Sequence, residues 1–200
     1  MVQRRRETTE VRQKMITEAA MKVIGQKGVN GATTAEIASA AGISEGNLYR
    51  HFRSKEEIIM SVIDRIGSDL ASILASVKEL PNPLQKLETT LKCHLLYIEE
   101  HVGVPRTIFS EEIIIANENL RSKVRSTIMT YFHGIKTIVE QGQKSGVFDD
   151  GMEPQAITGM FIGTIHFAVT RWMMNNFFPE LTHEADGLWK CFARSIIHKD

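Results

Sequence analysis

The chain has 200 residues and sets 24 Lys plus Arg against 24 Asp plus Glu. That length suits one large domain or a small domain joined to a medium one, and the zero net charge excludes a wholly basic nucleic-acid coat while leaving room for a local basic region. Between Met1 and Met60 ten Lys/Arg, with Arg4, Arg5 and Arg6 among them, stand against seven Glu, an excess of +3 that leaves −3 for the remaining residues. Cys93 and Cys191 lie far apart and no signal-like apolar stretch opens the chain, so the expectation is a reducing, cytoplasmic setting without a disulfide framework. The most apolar segment, Ile157 to Met174, is interrupted by Gly, Thr, His and Arg, which argues against a membrane span.

Taken in order, the long segments read with a helical period, and an all-α fold of about nine helices is expected. Val11, Met15, Ala19 and Val23, flanked by Ile16, Ala20 and Ile24, form the apolar stripe of a first helix that should stop at Gly25 and Gly28. Thr33 followed by Glu36 is a capping box that opens a short helix from Thr34 to Ala41, closed by Gly42. Ser44 can cap another short helix, and Ser54 with Glu57 forms a second capping box before a long one carrying Ile59, Val62, Ile63, Ile66, Leu70, Ile73, Leu74 and Val77 on one face. Pro81 and Pro83 mark the next break. Five further helices are predicted over roughly 83–100, 105–116, 118–143, 154–176 and 183–198, separated by turn-rich "SGVFDDGMEP" and "FFPELT" between the last three.

Three short helices within about 45 residues, the second and third joined by "AAGIS", fit a helix-turn-helix. Gly42 stands where a left-handed backbone is needed. Ile37, Ala38, Ala41 and Ile43 are expected to bury the inner side of the pair, with Leu48 and Phe52 anchoring the second helix to the first. Gly46 and Arg50 then point away from that anchor, with Asn47 and Tyr49 to either side. Such a helix needs little core if its outer face enters the DNA major groove. Ser44, Glu45, Gly46 and Asn47 are in position to read bases: Gly46 allows close approach, Asn47 can pair with adenine or reach a phosphate, and Glu45 can accept from cytosine N4. Tyr49, His51 and Lys55 suit phosphates, and the helix starts at Lys55 and Thr34 offer open N–H groups to anions.

The stretch "TTAEIASAAGISEGNLYRHFRSKEEII", Thr33 to Ile59, closely resembles the DNA-binding signature of the TetR family of bacterial transcriptional regulators, and the likeness extends over roughly residues 10 to 60. It implies phosphate contacts at Thr34, Tyr49, His51 and Lys55, and base or mixed contacts around Ala35, Ser44, Glu45, Gly46 and Asn47. Thr33 and Arg50 complete the candidate DNA-binding set. The resemblance also implies a boundary near residue 55, with a helix-turn-helix domain over 1–55 and a helical effector-binding and dimerisation domain over 56–200.

Beyond Pro81 the residues must speak for themselves. The helix from Pro154 is apolar around much of its circumference and carries Gly159 and Gly163 four apart, a patch that lets another helix approach closely. With Phe167, and with Trp189 and Phe192 of the last helix, it is the candidate interface of a four-helix dimer contact, as the resemblance also implies; the alternative is an intrachain core. Candidate effector-lining residues are Ile66, Leu70, His94, Tyr97, Phe109, Ile113, Met129, Phe132, His133, Phe161 and His166, and their Met and Phe content suits an apolar, acyl-like or aromatic effector.

Catalysis finds no support. The seven histidines show no HExxH or other metal-ligand spacing, and no GxSxG, P-loop or dinucleotide fingerprint occurs, so no catalytic residue, metal or cofactor is assigned. "VIGQKG", Val23 to Gly28, imitates the GxxG loop of KH domains, but that loop needs a sheet around it and is read here as a helix end. The expected function is a ligand-responsive transcriptional regulator: a homodimeric repressor on a palindromic, double-stranded operator, released by a small apolar effector, with no membrane partner.

Overall fold

A computed structural model describes residues 9–197. Arg4, Arg5 and Arg6, and the end of the expected last helix at His198, lie outside the described residues. Among those described, the protein is all-α: α1 (Thr9–Gly31), α2 (Thr34–Ala40), α3 (Glu45–Leu48), α4 (Lys55–Ser76), α5 (Pro83–Glu100), α6 (Gly103–Ile108), α7 (Glu118–Lys144), α8 (Pro154–Met174) and α9 (Ala185–Ile196). A π-helical turn (Glu112–Ala116) precedes α7 and a 3₁₀ turn (Leu181–Glu184) precedes α9. The expected helix over 105–116 is therefore two pieces, α6 and the π turn, and the helix expected from 183 begins as a 3₁₀ turn.

The chain divides into two compact units. One runs to Ile66 and resumes over His101–Arg125; the other comprises Gly67–Glu100 and the described residues from Ser126 on. The unit holding α1–α3 is thus larger than residues 1–55, because it also takes the start of α4, α6, the π turn and the start of α7.

In the first unit, α1 buries Ile16, Ala19, Ala20, Val23 and Ile24, the stripe expected from its 3.6-residue period. It does not stop at Gly25. The helix passes through that residue and breaks at Gly28, whose φ of 75° is open to glycine at little cost. Gly25 has another reason to lack a side chain. A Cβ there would lie 3.1 Å from the Gly103 backbone nitrogen, and one on Gly103 would lie 2.2 Å from the Met21 carbonyl oxygen. The backbones of α1 and α6 therefore meet with no side chain between them. Arg106 Nη1 donates to Gln26 O at 2.9 Å across the same contact, while Thr107, fully buried, turns its hydroxyl back within α6 to Gly103 O at 2.7 Å.

The second unit packs α5, α8, α9 and the 3₁₀ turn together. Its core holds Leu87, Leu91 and Leu95 of α5, Ile157, Phe161 and Ile165 of α8, and Trp189, Phe192 and Ile196 of α9. Phe161 and Phe192 meet edge to face at 5.3 Å. Gly142 of α7 accommodates the ring of Phe148, which a Cβ at that position would strike at 2.0 Å. No helix among the described residues is long and apolar enough to cross a membrane.

Candidate nucleic-acid interface

The α2–α3 pair is shaped by local capping before any tertiary contact acts. Thr33 Oγ1 accepts from the Glu36 backbone N–H at 3.2 Å and Glu36 Oε2 accepts from the Thr33 N–H at 3.1 Å, the reciprocal capping box. Lys27 of α1 donates to the same carboxylate, so Glu36 both starts α2 and ties it to α1. The Lys27 ammonium, with the Thr33 N–H second, holds the Glu36 carboxyl down at about 2. At the other end, Gly42 N–H donates to Ser39 O at 3.1 Å and Ile43 N–H to Ala38 O at 3.0 Å, the double closure of a Schellman motif, with Gly42 left-handed at φ 67°. The turn that sets the angle of α3 is thereby fixed by backbone bonds.

Ser44 caps α3 by accepting from the Asn47 N–H at 3.2 Å. Leu48 is wholly buried and Phe52 nearly so, and each contributes about 1.5–3 kcal/mol of burial to holding the element in place. The regular helix is a single turn, Glu45–Leu48, and Phe52 anchors it from the loop beyond rather than from a second turn. Gln13 of α1 braces that loop by donating to His51 O at 3.1 Å.

Against this frame, Ala35, Ser44, Glu45, Gly46, Tyr49 and Arg50 are exposed, as is Thr33, while Thr34 and Asn47 are half-buried. A Cβ on Gly46 would meet nothing within 4 Å, so the outer face of α3 is open to close approach there. Thr34 Oγ1 donates to Glu45 Oε1 at 2.5 Å and accepts from Tyr49 OH at 3.3 Å, which brings three of the expected residues into one chain of hydrogen bonds.

Two expected phosphate contacts have inward duties as well. His51 is half-buried and its Nδ1 is enclosed without a protein partner, which leaves Nε2 as the ring atom for an outside group. Lys55 Nζ donates to Val29 O at 2.7 Å and to Asn30 O at 3.4 Å. The last turn of α1 has no basic residue of its own, so Lys55 supplies the cation that its orphan carbonyls lack and keeps its third proton for another acceptor. At the start of α4, Ser54 Oγ accepts from Glu57 N–H at 3.2 Å, but the Glu57 carboxylate reaches Arg53 N–H instead of the expected Ser54 N–H.

Comparison with known proteins now decides the family. Residues 16–62 match the profile of bacterial regulatory proteins, tetR family, and residues 62–195 match that of the YsiA-like protein C-terminal region. The chain belongs to the tetR family. This tetR-family protein is 27% identical over 187 residues to the fatty acid metabolism regulator protein of Bacillus subtilis (strain 168), covering 92% of this chain and 95% of the relative. It is 23% identical over 190 residues to the nucleoid occlusion factor SlmA of Vibrio atlanticus, again covering 92% and 95%. Its fold matches that of the transcriptional regulator FadR from Bacillus subtilis in complex with stearoyl-CoA, with a TM-score of 0.80, 25% identity and coverage of 92% and 99%. FadR from Bacillus halodurans shares the fold alone, with a TM-score of 0.83, 23% identity and coverage of 94% and 97%. The tetR-family chain is a ligand-responsive, DNA-binding transcriptional regulator.

The effector candidates of this tetR-family chain are divided between its units. Ile66, Phe109 and Ile113 lie in the first; Leu70, His94, Tyr97, Met129, Phe132, His133, Phe161 and His166 lie in the second. Met129, His133 and His166 are exposed, and His133 Nδ1 lies 2.6 Å from Met129 O on the same helix. The polar centre of the second unit is a residue the sequence reading passed over. Tyr131 OH lies 2.9 Å from His94 Nδ1, the two rings edge to face at 5.1 Å, and burial holds the His94 imidazole down at about 4 and raises the Tyr131 phenol. The signal was in the period. Val124, Tyr131, Ile135 and Ile138 form the buried stripe of α7, which leaves Phe132 and His133 to one side.

The dimer candidates also divide. Trp189 and Phe192 are buried in the chain's own core, where α9 packs against α5 and α8. Gly159, Gly163 and Phe167 lie on the outer face of α8. Neither glycine meets any atom within 4 Å of where a Cβ would stand, and Phe167 is 69% exposed.

Proposed function

We propose that this regulator is a homodimeric repressor that reads a palindromic operator with α3 in the major groove and leaves it on binding a long-chain acyl thioester. The observation that carries the reading is the face made by exposed Glu45, Gly46 and Tyr49 with half-buried Thr34 and Asn47 beside them, built on a one-turn helix whose only fully buried residue is Leu48. Polar groups exposed on so short an element are what a groove-reading helix requires, with Tyr49, Thr34, His51 and Lys55 gripping phosphates on either side.

Dimerisation is supported by the outer face of α8. Gly159, Met160, Gly163, Phe167 and Met174 recur at helical spacing, and the last two are 69% and 79% exposed. A second copy of the same stripe covers it by two-fold symmetry, and two recognition helices then address half-sites related by the same axis. The effector class rests on the Bacillus subtilis FadR solved with stearoyl-CoA. In this chain the interior of the second unit, the buried Leu70 and Phe161 included, is apolar as an acyl tail requires, and the neutral His94–Tyr131 pair offers a polar partner for a thioester carbonyl.

Selection of bound duplexes from a randomised pool tests the first half: an inverted repeat with half-sites about one helical turn apart is expected. Adding stearoyl-CoA to the selected duplex is expected to release it, whereas coenzyme A alone leaves it bound. Retention of the duplex through a full series of acyl chain lengths would remove the effector assignment while leaving DNA binding intact.

A further inference from the structure

Thr34, Tyr49 and Glu45 form a relay whose direction is fixed by counting protons. An ionised carboxylate can only accept, a threonine hydroxyl has one proton and a phenol has one. The 2.5 Å contact between Thr34 Oγ1 and Glu45 Oε1 therefore takes the threonine proton, and the 3.3 Å contact takes the Tyr49 proton to Thr34 Oγ1. Both hydroxyls that face the expected phosphate are already donating within the protein.

A backbone phosphate is also an acceptor without protons. It can take the Thr34 proton only when Glu45 gives that donor up, and the Tyr49 proton only when the phenol leaves Thr34 Oγ1, so at Thr34 the carboxylate holds the place of a phosphate in the free protein. Among the described residues Glu45 has no cation at ion-pair distance; Lys27, across the α1–α2 contact, is committed to Glu36. Once displaced, the carboxylate stands against a polyanion with nothing to neutralise it. A base-edge amino group in the major groove relieves it. Cytosine offers N4–H₂ beside a C–H, while adenine offers N6–H₂ beside the acceptor N7, which repels a carboxylate.

We propose that Glu45 is the specificity-determining residue of the DNA-binding face: its carboxylate occupies the hydroxyl of Thr34, on which Tyr49 in turn rests, and yields it to a DNA phosphate only where a cytosine amino group takes up the carboxylate in exchange. The inference rests on the placement of α3 in the major groove. It makes phosphate grip conditional on sequence, so that non-specific duplex meets a protein whose own carboxylate competes for the contacts.

The test is duplex selection and binding on the full-length protein with Glu45→Gln, Thr34→Val and the double variant. Glu45→Gln keeps shape and removes charge on an exposed position. It is expected to erase a cytosine preference at one position of each half-site and to raise affinity for a random-sequence duplex on the order of ten-fold. Removing any acidic group from a DNA-facing surface also raises affinity, so coupling decides. If Glu45 acts through the hydroxyls, most of the gain disappears in the Thr34→Val background; a gain of the same size in both backgrounds overturns the inference. An unchanged base preference in Glu45→Gln overturns it as well. Failure of the unmodified protein to retain any duplex would overturn the groove placement itself, an outcome distinct from both.

Discussion

At the residue scale, Glu36 shows how one side chain can serve two partners at once. It completes the capping box with Thr33, receives Lys27 from α1, and so joins the start of α2 to the helix behind it. Its carboxyl is held at about 2 against an ordinary value of 4.5. Because the folded value is depressed, the stability it confers is fully present above about 4.5 and is lost as pH falls through that window toward 2. Glu36→Gln is therefore expected to flatten the dependence of the urea midpoint on pH between those limits and to leave its shape above pH 5 unchanged. The box was legible because its two members are three residues apart. Lys27 was not, since a brace from a preceding helix leaves no spacing in the sequence. Tyr131 lies between these cases: its place on the α7 period marks it as buried, but its partner His94 is 37 residues distant and only the folded chain brings them within 2.9 Å.

At the element scale, helices with strong periods and caps were readable to within a residue or two, α5 and α4 among them. The failures have a common physical origin. Gly25 and Gly28 look alike in sequence, yet one admits a neighbouring backbone and the other a positive φ, and nothing local distinguishes them. The segment 105–116 has apolar residues enough for one helix, but it divides into α6 and a π turn because α6 is held to the α1 backbone. Gly103→Ala tests that contact. The added methyl would stand 2.2 Å from a backbone oxygen that cannot rotate away, so a loss of about 1–3 kcal/mol is expected, read as a lowered urea midpoint. Gly159→Ala provides the contrast, since its methyl meets open space in the monomer; a gain of up to about 1 kcal/mol from helix propensity is expected when unfolding is measured at concentrations that keep the protein monomeric.

At the scale of the whole molecule, an apolar residue as exposed as Phe167 in the middle of a 21-residue helix asks for a cover. Phe167→Glu is expected to weaken self-association by about 2 kcal/mol or more, seen by sedimentation equilibrium, with helical content unchanged and operator affinity reduced along with it. A dimer that persists would place the contact elsewhere on the chain. The α8 helix itself was legible as apolar nearly all round, but which apolar residues face inward depends on where α5 and α9 lie, and Trp189 and Phe192 were drawn inward by that packing. The division into units has the same character, because residues 101–125 return to the company of α1 after 34 residues spent in the other unit. The part of this regulator that could be transplanted is thus discontinuous in sequence. A chimaera built by cutting after residue 55 would leave behind Gly103 and Thr107, strip the cover from α1, and present its exposed backbone to whatever the recipient happened to supply; a working cassette would have to carry 101–125 with it as a second, separate insert.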